Sequence, residues 1–381
     1  MKLAFCLFRY FPHGGLQRDF FRMVEICAAR GHLVDVYAAA WEVEAPRGAK
    51  LEILPRRGLS NHRMMANFSR ALQAAVSRKR YDAVVGFNKT AGLDVYFAGD
   101  TSFAARADSR RLWYRLTPRY RTFLRLEGAV FGPRSRARIL LLSEREKAFY
   151  MSYYGTHESR FHLLPPGIEL QRIASAPERA EARVALGVGD DRLLVLMVGS
   201  GFRTKGVDRA LRALDALPGF LRARTLLFVV GRGKAAPLER WARRRGLGDQ
   251  VRFFGGRDDV PRFLKAADLL LHPARQETAG MVLIEAMAAG LPVLVTEVCG
   301  YAEHVERAGA GLLIPDPFRQ DRLNEMLAQM LEALGTEAWG ERGTAYVAST
   351  DVTGLHERAA DVIEEVASQK SGPGDGKEEE P

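Results

Sequence analysis

Leu269-Leu270-Leu271-His272, followed by Glu277-Thr278-Ala279-Gly280-Met281-Val282-Leu283-Ile284-Glu285-Ala286-Met287-Ala288-Ala289-Gly290-Leu291-Pro292-Val293-Leu294-Val295, is the stretch from which the fold can be read. The first apolar run predicts a buried strand, small residues follow, a helix begins near Gly280, and Pro292–Val295 is a second buried strand. Strands apolar along their whole length, joined through a helix, are the mark of a parallel sheet covered on both faces. The same alternation continues outward through Leu193–Val198, Leu226–Val230, Val251–Phe254 and Gly311–Ile314. It also fills the first half of the chain. Strands are expected at Leu3–Phe8, Leu33–Ala38, Leu51–Leu54, Ala83–Phe87, Val95–Ala98 and Ile139–Leu142, and helices at Leu16–Arg30, Met64–Arg80 and Glu144–Tyr154. The alternation restarts after Pro165-Pro166-Gly167. The fold class is therefore α/β, as two Rossmann-like domains facing across a cleft. Residues 1–165 form the N-terminal domain and 166–350 the C-terminal one. A helix over about 353–369 packs back on the first domain, and 370–381, rich in Gly, Pro and Glu, reads as a disordered tail.

Length and composition fit this division. At roughly 150 residues per domain, 381 residues provide for two cores. The 47% apolar and 27% charged content exclude a disordered chain, a fibrous repeat and a small disulfide scaffold. A net charge of +10 favours acidic partners, although only ten of the 56 cations are lysine, an arginine bias that a GC-rich genome also produces. Cys6, Cys27 and Cys299 are widely spaced and form no CxxC pair, so they read as buried free thiols in a reducing compartment. Arg9 interrupts the first apolar run and no small-residue cleavage site follows, which excludes a signal peptide. No window approaches the ~20 apolar residues of a membrane span. The expected location is cytoplasmic, peripheral to a membrane.

Three stretches carry chemistry. Pro12-His13-Gly14-Gly15-Leu16-Gln17-Arg18-Asp19 joins a strand end to a helix start, which suits either close approach to a phosphate or sugar or a plain tight turn. Val198-Gly199-Ser200-Gly201-Phe202-Arg203-Thr204-Lys205-Gly206 fails the dinucleotide fingerprint at Thr204 and fails the P-loop spacing. It remains a glycine turn with two cations, either a diphosphate site or a solvated basic turn. In the third, the amides of Ala279, Gly280 and Met281 can hold a phosphate. Glu285, among apolar residues in the helix, can accept from the vicinal hydroxyls of a ribose, and Glu277 can do the same for a sugar. The two carboxylates would straddle a nucleotide sugar.

On these residues the chain resembles the retaining GT-B glycosyltransferases of family 4. Glu277 and Glu285 reproduce that family's glutamates eight apart, and Pro165-Pro166-Gly167-Ile168 matches its interdomain hinge. Arg203 and Lys205 lie near its two donor-phosphate cations; the family's phosphate arginine falls at Thr204, one place after Arg203. Closer still, the chain is similar to the lipopolysaccharide core glucosyltransferases of that family. The runs concerned include Gly14–Phe20, Val85-Gly86-Phe87-Asn88-Lys89, Gly92–Ala98, Tyr114-Arg115-Leu116-Thr117, Lys205–Arg209, Leu269–Ala274 and Val298–Ala302. The similarity covers Met1 to Ile363. It implies a UDP-sugar donor, first UDP-glucose, with UDP-GalNAc or UDP-GlcNAc as alternatives. It also implies an inner-core heptose of a lipid A–core precursor as acceptor, and retention at the anomeric carbon. It makes 1–165 the acceptor-binding and 166–350 the nucleotide-sugar-binding domain, and assigns donor contacts to Gly15, Arg172, Lys205, Glu277 and Glu285 and acceptor contacts to Asp19 and Asp100; Arg203 and the helix-start amides of Ala279, Gly280 and Met281, read from the residues above, complete the donor set. The catalytic set is Asp100, Lys205, Arg203 and Glu277. No D-x-D sequence occurs, and two fixed cations can replace a metal, so no metal or other cofactor is expected.

Phe103–Gly132 holds seven arginines against Asp108 and Glu127, interleaved with Trp113, Tyr114, Tyr120, Phe123 and leucines. The spacing predicts helix with a break at Pro118. It suits either an anionic membrane surface, through Arg110, Arg111, Arg115 and Arg119, or a solvated basic helix. The resemblance favours the inner face of the inner membrane. A dehydrogenase lacks its GxGxxG here, and a non-catalytic basic module for RNA or membrane leaves the straddling glutamates unexplained, so no nucleic-acid partner is expected.

Overall fold

The computed structural model describes residues 1–12, 14–108 and 111–371. The chain divides into two compact units: Met1–Pro165 together with the chain from Gly354 on, and Pro166–Thr353.

The first unit holds β1 (Lys2–Arg9), β2 (Leu33–Ala40), β3 (Ala49–Ile53), β4 (Ala83–Gly86), β5 (Val95–Ala98), β6 (Arg138–Leu141) and β7 (Phe161–Leu163). They form one parallel sheet in the order β3-β2-β1-β4-β5-β6-β7, with Phe5 registered against Val36 on one side and Val85 on the other. The sequence reading missed β7. It is three residues long, sits at the sheet edge and is half-buried, so it carries neither an apolar run nor an alternation.

The helix Gly15–Ala29 packs against the helix Leu355–Ser371. Ala359, Ala360, Ile363 and Ala367 of the latter are fully buried, at the three- and four-residue spacing of one helix face. Arg30 fans out to Glu357, Asp361 and Glu364, and His32 reaches Glu364 at 2.7 Å. These pairs are largely exposed and fix register more than they stabilise. The last helix runs past the expected start of the tail. Lys370 lies in it and its ammonium meets Asp94 at 2.8 Å; residues 372–381 lie outside the described residues.

The second unit holds β8 (Leu193–Val198), β9 (Thr225–Val230), β10 (Val251–Gly255), β11 (Leu269–His272), β12 (Val293–Thr296) and β13 (Gly311–Ile314). All are parallel, in the order β10-β9-β8-β11-β12-β13. Each sheet is thus doubly wound, and its strand order reverses once: between β1 and β4 in the first unit, between β8 and β11 in the second. In open sheets of this kind, ligands bind beyond the carboxyl ends of the strands at such a reversal. There the connections diverge to opposite faces and leave room that no crossover helix fills.

One buried side chain ties the amino ends of β8 and β11 together. Arg183, on the helix Arg179–Leu186, is 5% exposed and donates to the carbonyls of Gly189, Arg192 and Ala266 and to Asp268. Asp268 in turn accepts from the Leu194 amide and from Arg179. Removing the guanidinium leaves the buried Ala266 carbonyl and the part-buried carbonyls of Gly189 and Arg192 short of a donor and weakens the pairing of Asp268. Arg183→Met is expected to destabilise the second unit by about 3–5 kcal/mol. Urea unfolding followed by tryptophan fluorescence checks this, and an unchanged midpoint would contradict it.

Candidate active site

At the reversal of the second sheet, the loop after β8 and the loop after β11 run against each other. The first contains a single helical turn, Phe202–Lys205, closed by Gly206 at φ +75°. A Cβ on Gly206 would stand 2.1 Å from the carbonyl oxygen of Pro273. Only glycine lets the two loops approach this closely. Arg275 fastens the turn from the other loop, with its amide on the Thr204 carbonyl, one Nη on the Arg203 carbonyl and a two-point pair with Asp208 at 2.7 and 2.8 Å.

This approach brings Lys205, Glu277 and His272 together. The Lys205 ammonium donates to Glu277 Oε2, and His272 Nε2 lies 3.3 Å from the same oxygen. Burial pushes the Lys205 ammonium below the usual lysine range. His272 ends β11, is 1% exposed, and is pushed down to about 3 by burial and then by Lys205, so its imidazole is neutral. Facing a carboxylate that accepts, the ring carries its proton on Nε2. Nδ1 has no hydrogen-bond partner among the described residues.

Behind Glu277 the loop is clamped by the segment after β12. Glu277 forms an isolated parallel bridge with Cys299, the Gly300 amide donates to the Glu277 carbonyl, and the Tyr301 amide and Cys299 thiol both donate to the Ala279 carbonyl. Gly280, at φ +104°, then turns the chain into the helix Met281–Ala288. In the first turn of that helix the Leu283 amide donates to the Gly280 carbonyl, while the Met281 and Val282 amides precede the first intrahelical acceptor and are available to an anion. Glu285 lies half-buried one turn further on.

The remaining expected residues fall as follows. Arg203 shares the one-turn helix with Lys205 but is exposed. Arg172 lies on the helix Leu170–Ala174, which packs against Met281–Ala288, and its guanidinium donates to the Asp258 carbonyl at 2.6 Å. In the first unit, Gly15 opens the helix after β1. A Cβ there would meet nothing, and one on Gly14 would meet the movable end of the Gln17 side chain, so neither glycine is demanded by space. Asp19, expected to face an acceptor, is 8% exposed and engaged by His356 at 3.1 Å. Asp100, beyond the carboxyl end of β5, is half-exposed and accepts from the Tyr96 hydroxyl at 2.5 Å, with the Lys89 ammonium at 3.3 Å.

The basic segment is not one broken helix. It consists of the helix Phe103–Asp108, a 3-10 turn Leu112–Leu116 and the helix Pro118–Phe131. Pro118 does not interrupt the last helix but begins it, after a Thr117 side-chain cap on the Tyr120 amide. Arg111 and Arg119 are exposed, Arg115 pairs with Asp108 at 2.8 Å, and Arg110 lies outside the described residues.

Sequence reasoning did not single out His272 or Lys89 as site residues. Each had a legible signal: His272 closes an apolar strand run and Lys89 follows one three residues after β4, where a parallel sheet delivers side chains to the ligand edge.

A parallel doubly wound unit whose reversal point holds a cation, a carboxylate and a helix start, paired with a second such unit, defines a GT-B glycosyltransferase. Two family models match the chain: one described as Glycosyl transferases group 1 over residues 178–344, the other as Glycosyltransferase Family 4 over residues 13–172. The chain is 44% identical over 368 residues to the lipopolysaccharide glucosyltransferase WaaG of Escherichia coli K12, covering 95% of this chain and 98% of that protein. It matches the crystal structure of WaaG, a glycosyltransferase involved in lipopolysaccharide biosynthesis, with a TM-score of 0.90 over 95% of this chain and 99% of that one. The chain therefore belongs to glycosyltransferase family 4. HepE of Anabaena in complex with UDP-glucose, 18% identical, shares the fold with a TM-score of 0.73 over 96% of this chain and 100% of that one.

Gly280 offers a direct test of the loop geometry. A Cβ there would lie 2.6 Å from Cys299 Sγ on a backbone that side chains rarely adopt. Gly280→Ala is expected to destabilise by about 1–3 kcal/mol. Thermal unfolding is the check, and a midpoint equal to wild type would mean that the clamp on Glu277 opens freely.

Proposed function

We infer that this glycosyltransferase moves a hexose, with retention, from a UDP-sugar to an inner-core heptose of a lipopolysaccharide precursor, and that UDP-glucose is the donor. The observation that carries this reading is the Lys205–Glu277–His272 cluster beside the Gly280–Met281 helix start. The relative named a lipopolysaccharide glucosyltransferase supports the choice of sugar and acceptor.

Cleaving the bond between the anomeric carbon and the diphosphate leaves negative charge on UDP and positive character on the sugar ring. Lys205, the exposed Arg203 and the amides of Ala279, Gly280 and Met281 offer positive potential to the departing diphosphate. Lys205 is paired with Glu277, so a diphosphate at the site competes with that carboxylate for the ammonium. As Lys205 turns to phosphate, Glu277 is released to accept from sugar hydroxyls while the neutral His272 keeps hold of one of its oxygens. Glu285 suits the ribose hydroxyls, and Arg172 stands on a helix adjoining the donor helix. In the first unit, Asp100 is the carboxylate that accepts from the attacking acceptor hydroxyl. Two protein cations supply the charge that a metal would otherwise provide.

A panel of UDP-sugars, assayed for UDP release with truncated lipopolysaccharide as acceptor, tests the reading. UDP-glucose should give the highest turnover, unchanged by EDTA. Lys205→Ala should lower kcat at least about 100-fold, with a smaller change in UDP affinity. A preference for a 2-acetamido sugar would overturn the donor assignment, and an unchanged kcat would overturn the role of Lys205.

The 3-10 turn supports docking on an anionic membrane. Leu112, Trp113 and Leu116 are 77%, 61% and 71% exposed, beside Arg111 and Arg119. Large apolar side chains left in solvent among arginines fit the headgroup boundary of a bilayer. No helix among the described residues is long and apolar enough to cross a membrane. The protein should float with vesicles containing phosphatidylglycerol or cardiolipin, less so at high salt. Replacing Arg110, Arg111, Arg115 and Arg119 with glutamine should abolish flotation and leave UDP affinity unchanged. Flotation equal to wild type would assign the segment to a solvated surface instead.

A further inference from the structure

Behind Asp100 lies a buried polar cluster that the donor chemistry does not use. Lys89, three residues beyond the end of β4, is 8% exposed. Its ammonium lies 2.7 Å from Glu127 Oε1, 2.9 Å from the Thr101 carbonyl and 3.3 Å from Asp100 Oδ2. The rings of Phe131 and Tyr150 close around it at 6.0 and 5.7 Å. Glu127, on the helix Pro118–Phe131, is wholly buried and accepts from the Phe103 and Ala104 amides and the Tyr154 hydroxyl. On the far side, buried Glu146 accepts from the Ser102 amide, and the Tyr150 hydroxyl donates to the Asp100 carbonyl.

A buried ammonium needs one carboxylate to be neutralised, and Glu127 provides it. Lys89 nonetheless reaches a second carboxylate, and that one is half-exposed. Tyr96, fully buried, donates to the other oxygen of Asp100 at 2.5 Å. Both oxygens of Asp100 are therefore held from the protein side by groups that cannot move, and their outward lone pairs stay open to a ligand. A half-exposed aspartate on a loop would otherwise sample several rotamers.

We propose that Lys89, anchored by Glu127, acts with Tyr96 as a positioning device that fixes the rotamer of Asp100 for the acceptor hydroxyl. The device rests on the reading of Asp100 as the acceptor carboxylate. Glu127 also receives the first amides of the helix Phe103–Asp108, so the basic segment and the acceptor carboxylate share one buried anchor.

Lys89→Met alone leaves Glu127 buried without its cation and can unfold the unit. The double variant K89M/E127Q removes both charges together and keeps an amide oxygen for one of the two helix amides, so it is the variant to measure. Its thermal midpoint should fall but the unit should stay folded, and UDP affinity should stay near wild type, while kcat for transfer to truncated lipopolysaccharide falls about 10- to 100-fold. On a D100N background the same pair of substitutions should produce no further loss, because the effect passes through Asp100. A merely structural role would add its loss to that of D100N. Wild-type turnover in K89M/E127Q, or an additive loss on D100N, overturns the proposal. If D100N itself turns over like wild type, the reading of Asp100 falls and the device falls with it; an inactive D100N beside a fully active K89M/E127Q overturns the device alone. Should K89M/E127Q fail to fold, Tyr96→Phe carries the same test, with a loss of turnover expected that disappears on the D100N background.

Discussion

The ion pair of Lys205 with Glu277 is the contact around which the second unit is arranged. It joins side chains 72 residues apart, delivered by loops that follow neighbouring parallel strands. The pair is largely buried, and the ammonium is pushed below its usual range by that burial. An ammonium in such a place is tolerable only with a partner in contact. The partner can reach it because Gly206 leaves no Cβ between its loop and Pro273. The constraint is steric first and electrostatic second.

Much of the surrounding structure serves to hold those two loops. Arg275 pins the one-turn helix through its carbonyls, and the Cys299–Tyr301 segment clamps the loop bearing Glu277 from behind. His272 contributes a neutral hydrogen bond that survives when the ammonium turns elsewhere. The site thus has one mobile charge, on a flexible lysine stem, against a carboxylate whose backbone and second partner are fixed. That division suits a reaction in which charge appears on a leaving group and the sugar must stay put.

The first unit solves a similar problem with different parts. Asp100 also stands beyond a strand's carboxyl end, that of β5 next to the reversal strand β4, and is backed by a buried lysine and a buried tyrosine. In both units the central strands β4, β5, β8, β9 and β12 carry no charge of their own. Polar groups collect where the strands stop, because there the backbone leaves the sheet and water or a ligand can take the place of the missing ladder.

The α/β alternation, most strand positions and the two glutamates eight apart were legible in the chain because they depend on local pattern. Buried parallel strands must be apolar throughout, and a glycine next to a helix start leaves its mark in a few residues. The half-exposed edge strand Phe161–Leu163 escaped because nothing in three residues of mixed burial sets it apart from a loop. Pro118 read as a break because proline is incompatible with a helix interior, yet its position one residue after Thr117 made it a beginning. What tertiary structure decided was partnership. That Asp19 meets His356, that Lys205 meets Glu277, and that Lys89 stands between Glu127 and Asp100 all depend on which strands and helices lie side by side. Sequence specifies which side chains a strand delivers to its end; only the packed sheet order sets which of them come within a hydrogen bond of one another, because electrostatic contact falls off over a few ångströms while the residues concerned lie tens to hundreds of positions apart.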